Sequence, residues 1–180
     1  MFGFYLIVGI TAVLGFLPIL SAAFIENFMA SISLWFQKFE FNASFYYIVR
    51  WIGFQSKGYN IIETAGKSLP LVTIGILAGL SFFRKNNSLE KLITAMLFGF
   101  TAYLFLSTTV HPWYLAIPLM LSIFTTYRYL MVWSFVVILS YAGYTSAGFQ
   151  ENLWLVALEY IIVIGLFIKE LFGRKTLLQL

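Results

Sequence analysis

The chain contains no cysteine, no aspartate and only one histidine, His111. The absence of cysteine excludes disulfide bonds and thiol chemistry. Even a small metal site needs three or four convergent ligands. One histidine and seven scattered acidic residues, all of them glutamate, do not provide such a set in a recognisable spacing. We therefore expect no metal and no cofactor to be bound by this chain alone.

Charge is scarce as well. Only 10% of the residues are charged and 61% are hydrophobic, whereas a typical soluble domain has about 25% charged residues. The mean hydropathy is +0.90. These values predict an integral membrane protein of the all-α class, a polytopic helix bundle in a single membrane domain over residues 1–180. The net charge of +4 is spread over several loops, which indicates membrane topology rather than nucleic-acid binding.

Long apolar runs with few charges predict about six membrane spans. They lie at Phe2–Ile25, Ser68–Phe83, Leu92–Val110, Trp113–Tyr127, Tyr129–Gln150 and Leu153–Ile168. The second and fourth are shorter than the usual ~20 residues. We expect the first to be a retained span rather than a cleaved signal peptide, because no basic residue precedes it.

The uncharged run between Lys91 and Arg128 must fold back on itself. As one continuous helix it would reach about 54 Å, against a hydrocarbon core of about 30 Å. Pro112 removes a backbone donor and disfavours helix at His111. We therefore predict a polar hairpin tip over residues 107–114 at one membrane face.

Residues 26–67 form the largest segment without a predicted span. Aromatic and aliphatic residues recur there at helical spacing, as at Phe28, Ile32 and Trp35, which predicts one or two amphipathic helices lying in the membrane interface. Asn42 lies between them. A purely structural alternative makes Asn42 the N-cap of the second helix, with Arg50 as an ordinary surface charge.

The basic loop Arg84–Lys91 sets the expected orientation through the positive-inside rule. With this loop in the cytoplasm, both termini are cytoplasmic. The aromatic segment 26–67, the hairpin tip and residues 150–152 then share the outer face. We expect these three regions to be able to build one site.

Glu159 falls inside the last predicted span. An ionisable side chain at that depth is costly and is by default a functional candidate. A structural explanation is also open: Glu159 is either protonated or tied to a polar group of the preceding span, such as Tyr141, Tyr144 or Thr145.

The predicted outer face suits an anionic, amphipathic ligand. Arg50 can bind phosphate, aromatic rings can pack on sugars or prenyl chains, and His111 can donate a hydrogen bond or exchange a proton near neutral pH. A general base is not evident. Glu40 is the carboxylate beside Asn42, and its assignment as a base is only a weak hypothesis.

Two stretches carry recognisable motifs. The first is Ser107-Thr-Thr-Val-His-Pro-Trp-Tyr-Leu115, followed by Pro118. The second is Phe39-Glu-Phe-Asn-Ala-Ser-Phe-Tyr-Tyr47, ahead of a predicted helix that contains Arg50. Both resemble segments of integral-membrane glycosyltransferases of the GT-C type, notably bacterial mannosyltransferase-like proteins that use polyprenyl-phosphate sugars. The family's general base is an acidic residue in the first outward loop, and this chain has no such loop. The resemblance therefore maps the chain to the C-terminal part of the fold.

The resemblance implies transfer of a hexose, with mannose as the expected sugar, from a polyprenyl-phosphate donor to a lipid-linked or glycan acceptor. The reaction would take place on the outer face of a bacterial plasma membrane, in glycan biosynthesis. An N-terminal half or a partner subunit would supply the base. Six residues are implied in holding the donor or shaping its pocket: His111, Trp113, Tyr114, Asn42, Tyr46 and Arg50.

The main alternative is a non-enzymatic membrane subunit or a flippase-like protein that handles lipid-linked glycans. It needs no general base, which agrees with the missing acidic loop. Proton-coupled transport should fail in Glu159→Gln, whereas a glycosyltransferase in which Glu159 is only a structural tie should tolerate that change.

Overall fold

A computed structural model describes residues 2–146 and 148–177. The protein is mostly helical, with eight α-helices, three short 3₁₀ segments and one two-stranded hairpin among the described residues. The chain divides into two compact units, Met1–Trp35 and Phe36–Leu180, which are described separately here.

The first unit contains helix α1, Phe2–Phe16, a 3₁₀ turn at Leu17–Ile19, and most of helix α2, Ala22–Gln37. The two helical arms are bent by 108°. The run Phe2–Ile25, predicted as the first span, is therefore not one straight helix, and it can cross a membrane only as part of a broken span. Pro18 lacks a backbone N–H and disfavours helix at the residue before it, and the Ser21 hydroxyl accepts a hydrogen bond from the Phe24 N–H (3.0 Å), which begins a new helix.

The second unit contains helices α3 (Phe45–Lys57), α4 (Ile62–Phe82), α5 (Leu89–Leu106), α6 (Ala116–Ile123), α7 (Tyr129–Val136) and α8 (Leu153–Leu177). A 3₁₀ segment, Pro112–Leu115, leads into α6, and another, Val137–Gly143, continues α7. Strands β1 (Tyr144–Thr145) and β2 (Gly148–Phe149) form an antiparallel hairpin in which Tyr144 pairs with Phe149.

In the part of the chain that the structure describes, two helices, α4 and α5, are long and apolar enough to cross a membrane, or three spans result if the bent pair α1 and α2 counts as one. Six spans are not confirmed. Helices α6 and α7 have eight residues each, and α8, although long, contains Glu159, Lys169 and Glu170. Helix α4 begins at Ile62, within the segment predicted to lie in the interface. With 21 residues, it is longer than the short span predicted at Ser68–Phe83.

The predicted break in the uncharged run is confirmed. Helix α5 ends at Leu106, and the chain is extended at Ser107 and at His111 before Pro112 starts the next 3₁₀ turn. The following helix packs back against α5. Pro112, with its fixed φ and missing donor, begins the 3₁₀ turn, whereas α5 has already ended six residues earlier, at Leu106.

The core lies where α5, α7 and α8 meet. Its completely buried side chains include Leu97, Tyr129, Leu130, Trp133 and Val163. The Tyr129 hydroxyl lies 2.5 Å from Thr101 Oγ1, so this polar group is paired inside the core.

The loops come together at two ends of this unit. At one end, residues 39–44 meet residues 107–111 and Glu151. At the other end, the Arg128 N–H donates to Glu170 Oε2 at 2.8 Å. Within this unit, parts of the three regions predicted to share one membrane face therefore lie together: residues 39–44, residues 107–111 and Glu151.

Candidate functional site

The site begins with a short extended segment, residues 39–44, laid against the hairpin tip. Phe41 and Thr109 form an isolated parallel bridge. The Phe41 N–H donates to the Thr108 carbonyl (3.1 Å), and the Val110 N–H donates to the Phe41 carbonyl (2.8 Å). These bonds fix the position of Asn42, the next residue in the chain.

Asn42 is completely buried and has a left-handed backbone, with φ of 46°. This conformation is uncommon outside glycine, although asparagine tolerates it better than most residues. Its N–H donates to Glu151 Oε1 (2.5 Å), its carbonyl accepts from the Tyr160 hydroxyl (2.7 Å), and its Nδ2 donates to Glu159 Oε1 (3.1 Å). Asn42 therefore connects the extended segment to α8.

The alternative role of Asn42 as a helix cap is wrong. Helix α3 is preceded by Ser44 at the N-cap position, and the Ser44 side chain makes no capping hydrogen bond. The Asn42 side chain instead reaches Glu159, 117 positions away in sequence.

Glu159 is completely buried in α8. Its Oε1 accepts two hydrogen bonds, one from Asn42 and one from the Trp133 indole N–H (2.9 Å). The structural tie expected from the sequence therefore exists, but its predicted partners in residues 141–145 are wrong. The second partner comes from α7, and the first from the aromatic segment.

Glu151, just before α8, is the second carboxylate of the site. Its Oε1 accepts from the Asn42 N–H, and its Oε2 accepts from the Tyr47 hydroxyl. The Arg50 guanidinium lies over the Tyr47 ring, 4.4 Å from the ring centroid. Burial, followed by the charge of Glu151, raises the pKa of Tyr47 above its usual range, so this hydroxyl remains a donor.

Glu40 is the third carboxylate. It forms an ion pair with Arg50, accepts from the Tyr46 hydroxyl (2.5 Å) and accepts from Asn60 Nδ2 (3.3 Å). Tyr46 is completely buried, and burial raises its pKa, with further contributions from its hydrogen bond to Glu40 and from the charge of that group. Glu40 therefore joins the side chains of Arg50, Tyr46 and Asn60.

His111 belongs to an aromatic stack at the hairpin tip. Its ring centroid lies 4.3 Å from that of Trp113, with nearly parallel planes, and 4.7 Å from that of Phe41. Tyr114 meets it edge-on at 5.3 Å. His111 is 8% exposed and Trp113 is 60% exposed. Burial lowers the pKa of His111, which favours a neutral imidazole at pH 7.

A groove of about 630 Å³ runs between α3 and α8. Its walls are mostly apolar and extend along α8 from Leu153 to Ile168. Its polar groups belong to Ser44, Tyr47, Arg50 and Tyr160. The groove therefore joins the hydrogen-bonded network to a long apolar surface.

The six residues implied by the family resemblance form two groups. Asn42, Tyr46 and Arg50 belong to the network of glutamates, whereas His111, Trp113 and Tyr114 form the aromatic stack. The groups are connected through Phe41. Asn42 and Tyr46 are completely buried, so they hold the site together, while Arg50 and Trp113 retain exposed surface.

Sequence reasoning missed four partners: Tyr47, Asn60, Trp133 and Glu151. Glu151 carried a signal, since it is the acidic residue of a loop predicted to share a face with Asn42. Trp133 carried none, because a tryptophan in an apolar helix is ordinary. Within the ranges 2–146 and 148–177, no cluster of three or more histidine, cysteine, aspartate or glutamate residues is arranged to hold a metal ion.

Comparisons with protein-family models, with curated protein sequences and with solved structures found no match to this chain.

Proposed function

We propose that this protein binds a polyprenyl-phosphate sugar and forms part of a GT-C type membrane glycosyltransferase. The donated hexose, with mannose as the expected sugar, would pass to a lipid-linked or glycan acceptor on the non-cytoplasmic face. The observation that carries the proposal is the apolar groove between α3 and α8, which ends at a cluster of arginine, tyrosine and glutamate side chains.

The groove suits a long, narrow hydrocarbon chain. Along α8, the stretch from Leu153 to Ile168 is about 22 Å long. Ile161, Ile164 and Ile168 supply apolar walls without charge. A volume of about 630 Å³ lies within the range of about 300–1,000 Å³ that is usual for small-molecule sites.

The head group would lie near Arg50. This side chain is 19% exposed, and one terminal nitrogen, Nη1, is paired with Glu40. A guanidinium carries five N–H donors in a planar fork, so others can still bind phosphate. Trp113, which is largely exposed, offers a ring face on which a sugar can pack.

The proposal requires a general base from outside the described network. Both oxygens of Glu151 accept hydrogen bonds, and Glu40 is bound by Arg50, Tyr46 and Asn60. A partner subunit or a further segment would supply the catalytic carboxylate. Because Glu40 and Glu151 are already hydrogen-bonded, a second candidate function is also favoured. This is a non-enzymatic subunit or flippase-like protein that binds the lipid without reacting with it.

Gly165 offers a sharp test, because it lines the groove and a Cβ built on it meets no atom within 4 Å. Gly165→Phe should fill the groove without disturbing the fold. Gly75→Phe, on α4 and equally open, is the matched control. Binding of a polyprenyl phosphate in detergent micelles would be measured by native mass spectrometry. We expect at least about a tenfold weaker affinity in Gly165→Phe only; equal affinities in both variants would exclude the groove.

The head-group assignment has its own test. Arg50→Gln should weaken binding of the polyprenyl phosphate but leave binding of the uncharged polyprenyl alcohol unchanged. Lys57→Gln, at the end of α3, is the control for general charge effects. An equal loss for phosphate and alcohol would mean that Arg50 supports the fold and does not bind the head group.

The proposed orientation puts residues 39–44, 107–114 and 150–152 outside and the Arg84–Lys91 loop in the cytoplasm of a bacterial plasma membrane. The natural absence of cysteine allows labelling of single introduced cysteines. Tyr59→Cys should react with an impermeant thiol reagent in intact cells, and Lys85→Cys should react only after lysis. The opposite pattern would invert the topology.

A further inference from the structure

Asn42 and Glu159 form a buried amide–carboxyl pair with two unsatisfied oxygens. Asn42 Nδ2 donates to Glu159 Oε1 at 3.1 Å. Within the described ranges, no donor reaches Asn42 Oδ1 or Glu159 Oε2, and both residues are completely buried. Two buried acceptors without a donor are costly, and because the two side chains are already hydrogen-bonded, a proton on Glu159 Oε2 donated to Asn42 Oδ1 would satisfy both.

The surroundings of Glu159 do not favour a carboxylate anion. Neither ion pair found among the described residues includes it. The ionisable groups that interact with it are Tyr160 on α8 and Glu151 before α8. Neither is a cation, and Glu151 would repel a second negative charge. An unpaired charge in such a place is expensive, and the neutral form removes that cost.

We infer that Glu159 is a protonated carboxylic acid at neutral pH, that it donates its proton to Asn42 Oδ1, and that this bond latches residues 39–44 over the groove. The acid–amide pair then carries two opposed hydrogen bonds. Glu159 Oε1 also keeps its bond from Trp133. Every polar atom of the pair is satisfied.

Asn42 determines the position of residues 39–44, so its bond to Glu159 controls this segment, which we call the latch. Its left-handed backbone is held by bonds to Glu151, Glu159 and Tyr160. The next residues, Ala43 and Ser44, line the groove. When a base in solvent takes the proton, the Glu159 O–H bond breaks and a carboxylate remains beside Glu151. The repulsion and the lost bond should release residues 39–44 and open this end of the groove.

Infrared spectroscopy of the wild-type protein tests the protonation directly. At neutral pH, exposed glutamates are ionised, so a carbonyl band of a protonated carboxyl group reports a buried acid. We expect this band in the wild type and its loss in Glu159→Gln. Absence of the band from the wild-type spectrum would overturn the inference, and this measurement needs no variant to fold.

Glu159→Gln also mimics the protonated acid, since its amide N–H can donate to Asn42 Oδ1 while its oxygen keeps both acceptor contacts. We expect it to melt at the same temperature as the wild type or higher, whereas Glu159→Ala should melt lower. If Glu159 is instead an ionised tie, Glu159→Gln will lose melting temperature as Glu159→Ala does.

Hydrogen exchange measures the latch. At about pH 9, the backbone amides of residues 41–44 should exchange at least about tenfold faster in the wild type than in Glu159→Gln at the same pH. Near pH 6 the two proteins should exchange alike. Equal rates at both pH values would refute the latch. None of these measurements uses a lipid ligand, so their outcome is independent of the function proposed above.

Discussion

Replacing Tyr47 by phenylalanine removes one hydroxyl from the centre of the site. The Tyr47 hydroxyl donates to Glu151 Oε2, while the other oxygen of Glu151 keeps its bond from the Asn42 N–H. The ring and its contact with Arg50 remain. The loss is therefore one hydrogen bond to a charged group, which contributes about 1.5–3 kcal/mol. We expect Tyr47→Phe to lower the free energy of unfolding by that amount.

The assay is unfolding in detergent micelles, followed by tryptophan fluorescence. Tyr59→Phe is the matched control, because Tyr59 is 61% exposed and its substitution should change stability by less than about 0.5 kcal/mol. A double-mutant cycle with Glu151→Gln should give a coupling energy of about 0.5–3 kcal/mol. If Tyr47→Phe is no more destabilising than Tyr59→Phe, Glu151 does not hold the site through this bond.

The same residue predicts a dependence on pH. Burial raises the pKa of Tyr47, whereas the unfolded chain ionises near its usual value of about 10. Above that pH the unfolded state binds fewer protons than the native state, so stability should fall as the pH rises. Tyr47→Phe should reduce the fall in the free energy of unfolding at alkaline pH. An unchanged fall would mean that other tyrosines cause it.

Three further predictions concern packing, an acid slope and a stacked cation. Gly53→Ala should be less stable than Gly75→Ala by about 1–3 kcal/mol in micelle unfolding. A Cβ at position 53 would lie 2.5 Å from Ile61 Cγ1, whereas position 75 is open. Equal stabilities would mean that Ile61 moves without cost. Burial lowers the pKa of His111, so its NMR titration should have a midpoint below about 6.5. Because the unfolded chain binds the proton more readily, the free energy of unfolding should fall as the pH drops below about 6.5. His111→Gln should reduce this dependence on pH. Arg50→Lys keeps a positive charge but loses the planar guanidinium stacked on an aromatic ring, which should cost about 0.5–1 kcal/mol; an unchanged unfolding free energy would leave only the charge important.

The break in the uncharged run was predictable from local chemistry. Helix α5 ends at Leu106, and Pro112, with its fixed φ, begins the next 3₁₀ turn after residues 107–111. Pro18 has the same effect in the first unit, but the apolar composition around it predicted an uninterrupted span. Hydropathy measures how a segment partitions into lipid and not whether its helix stays straight, which is why the bend of 108° was missed.

The sequence predicted that the segment 26–67, the hairpin tip 107–114 and residues 150–152 share one membrane face, and residues 39–44, 107–111 and Glu151 do meet. The prediction rests on the alternation of loops across a membrane, which a charge count can indicate without any contact. The partners within that end could not be derived this way. Asn42 meets Glu151 and Tyr160 across sequence separations of 109 and 118 residues, and no periodicity records such pairs.

By itself, the sequence determined that this is a helical chain with apolar runs suited to a membrane, that its uncharged run breaks between Leu106 and Pro112, and that it lacks thiols. Only the tertiary structure decided that Asn42 and Glu159 are partners, that Glu151 and Tyr47 share a bond, and that α3 and α8 enclose a groove. The reason is physical: composition and single prolines act on the chain locally, whereas a buried polar group takes its partner from whichever elements pack around it.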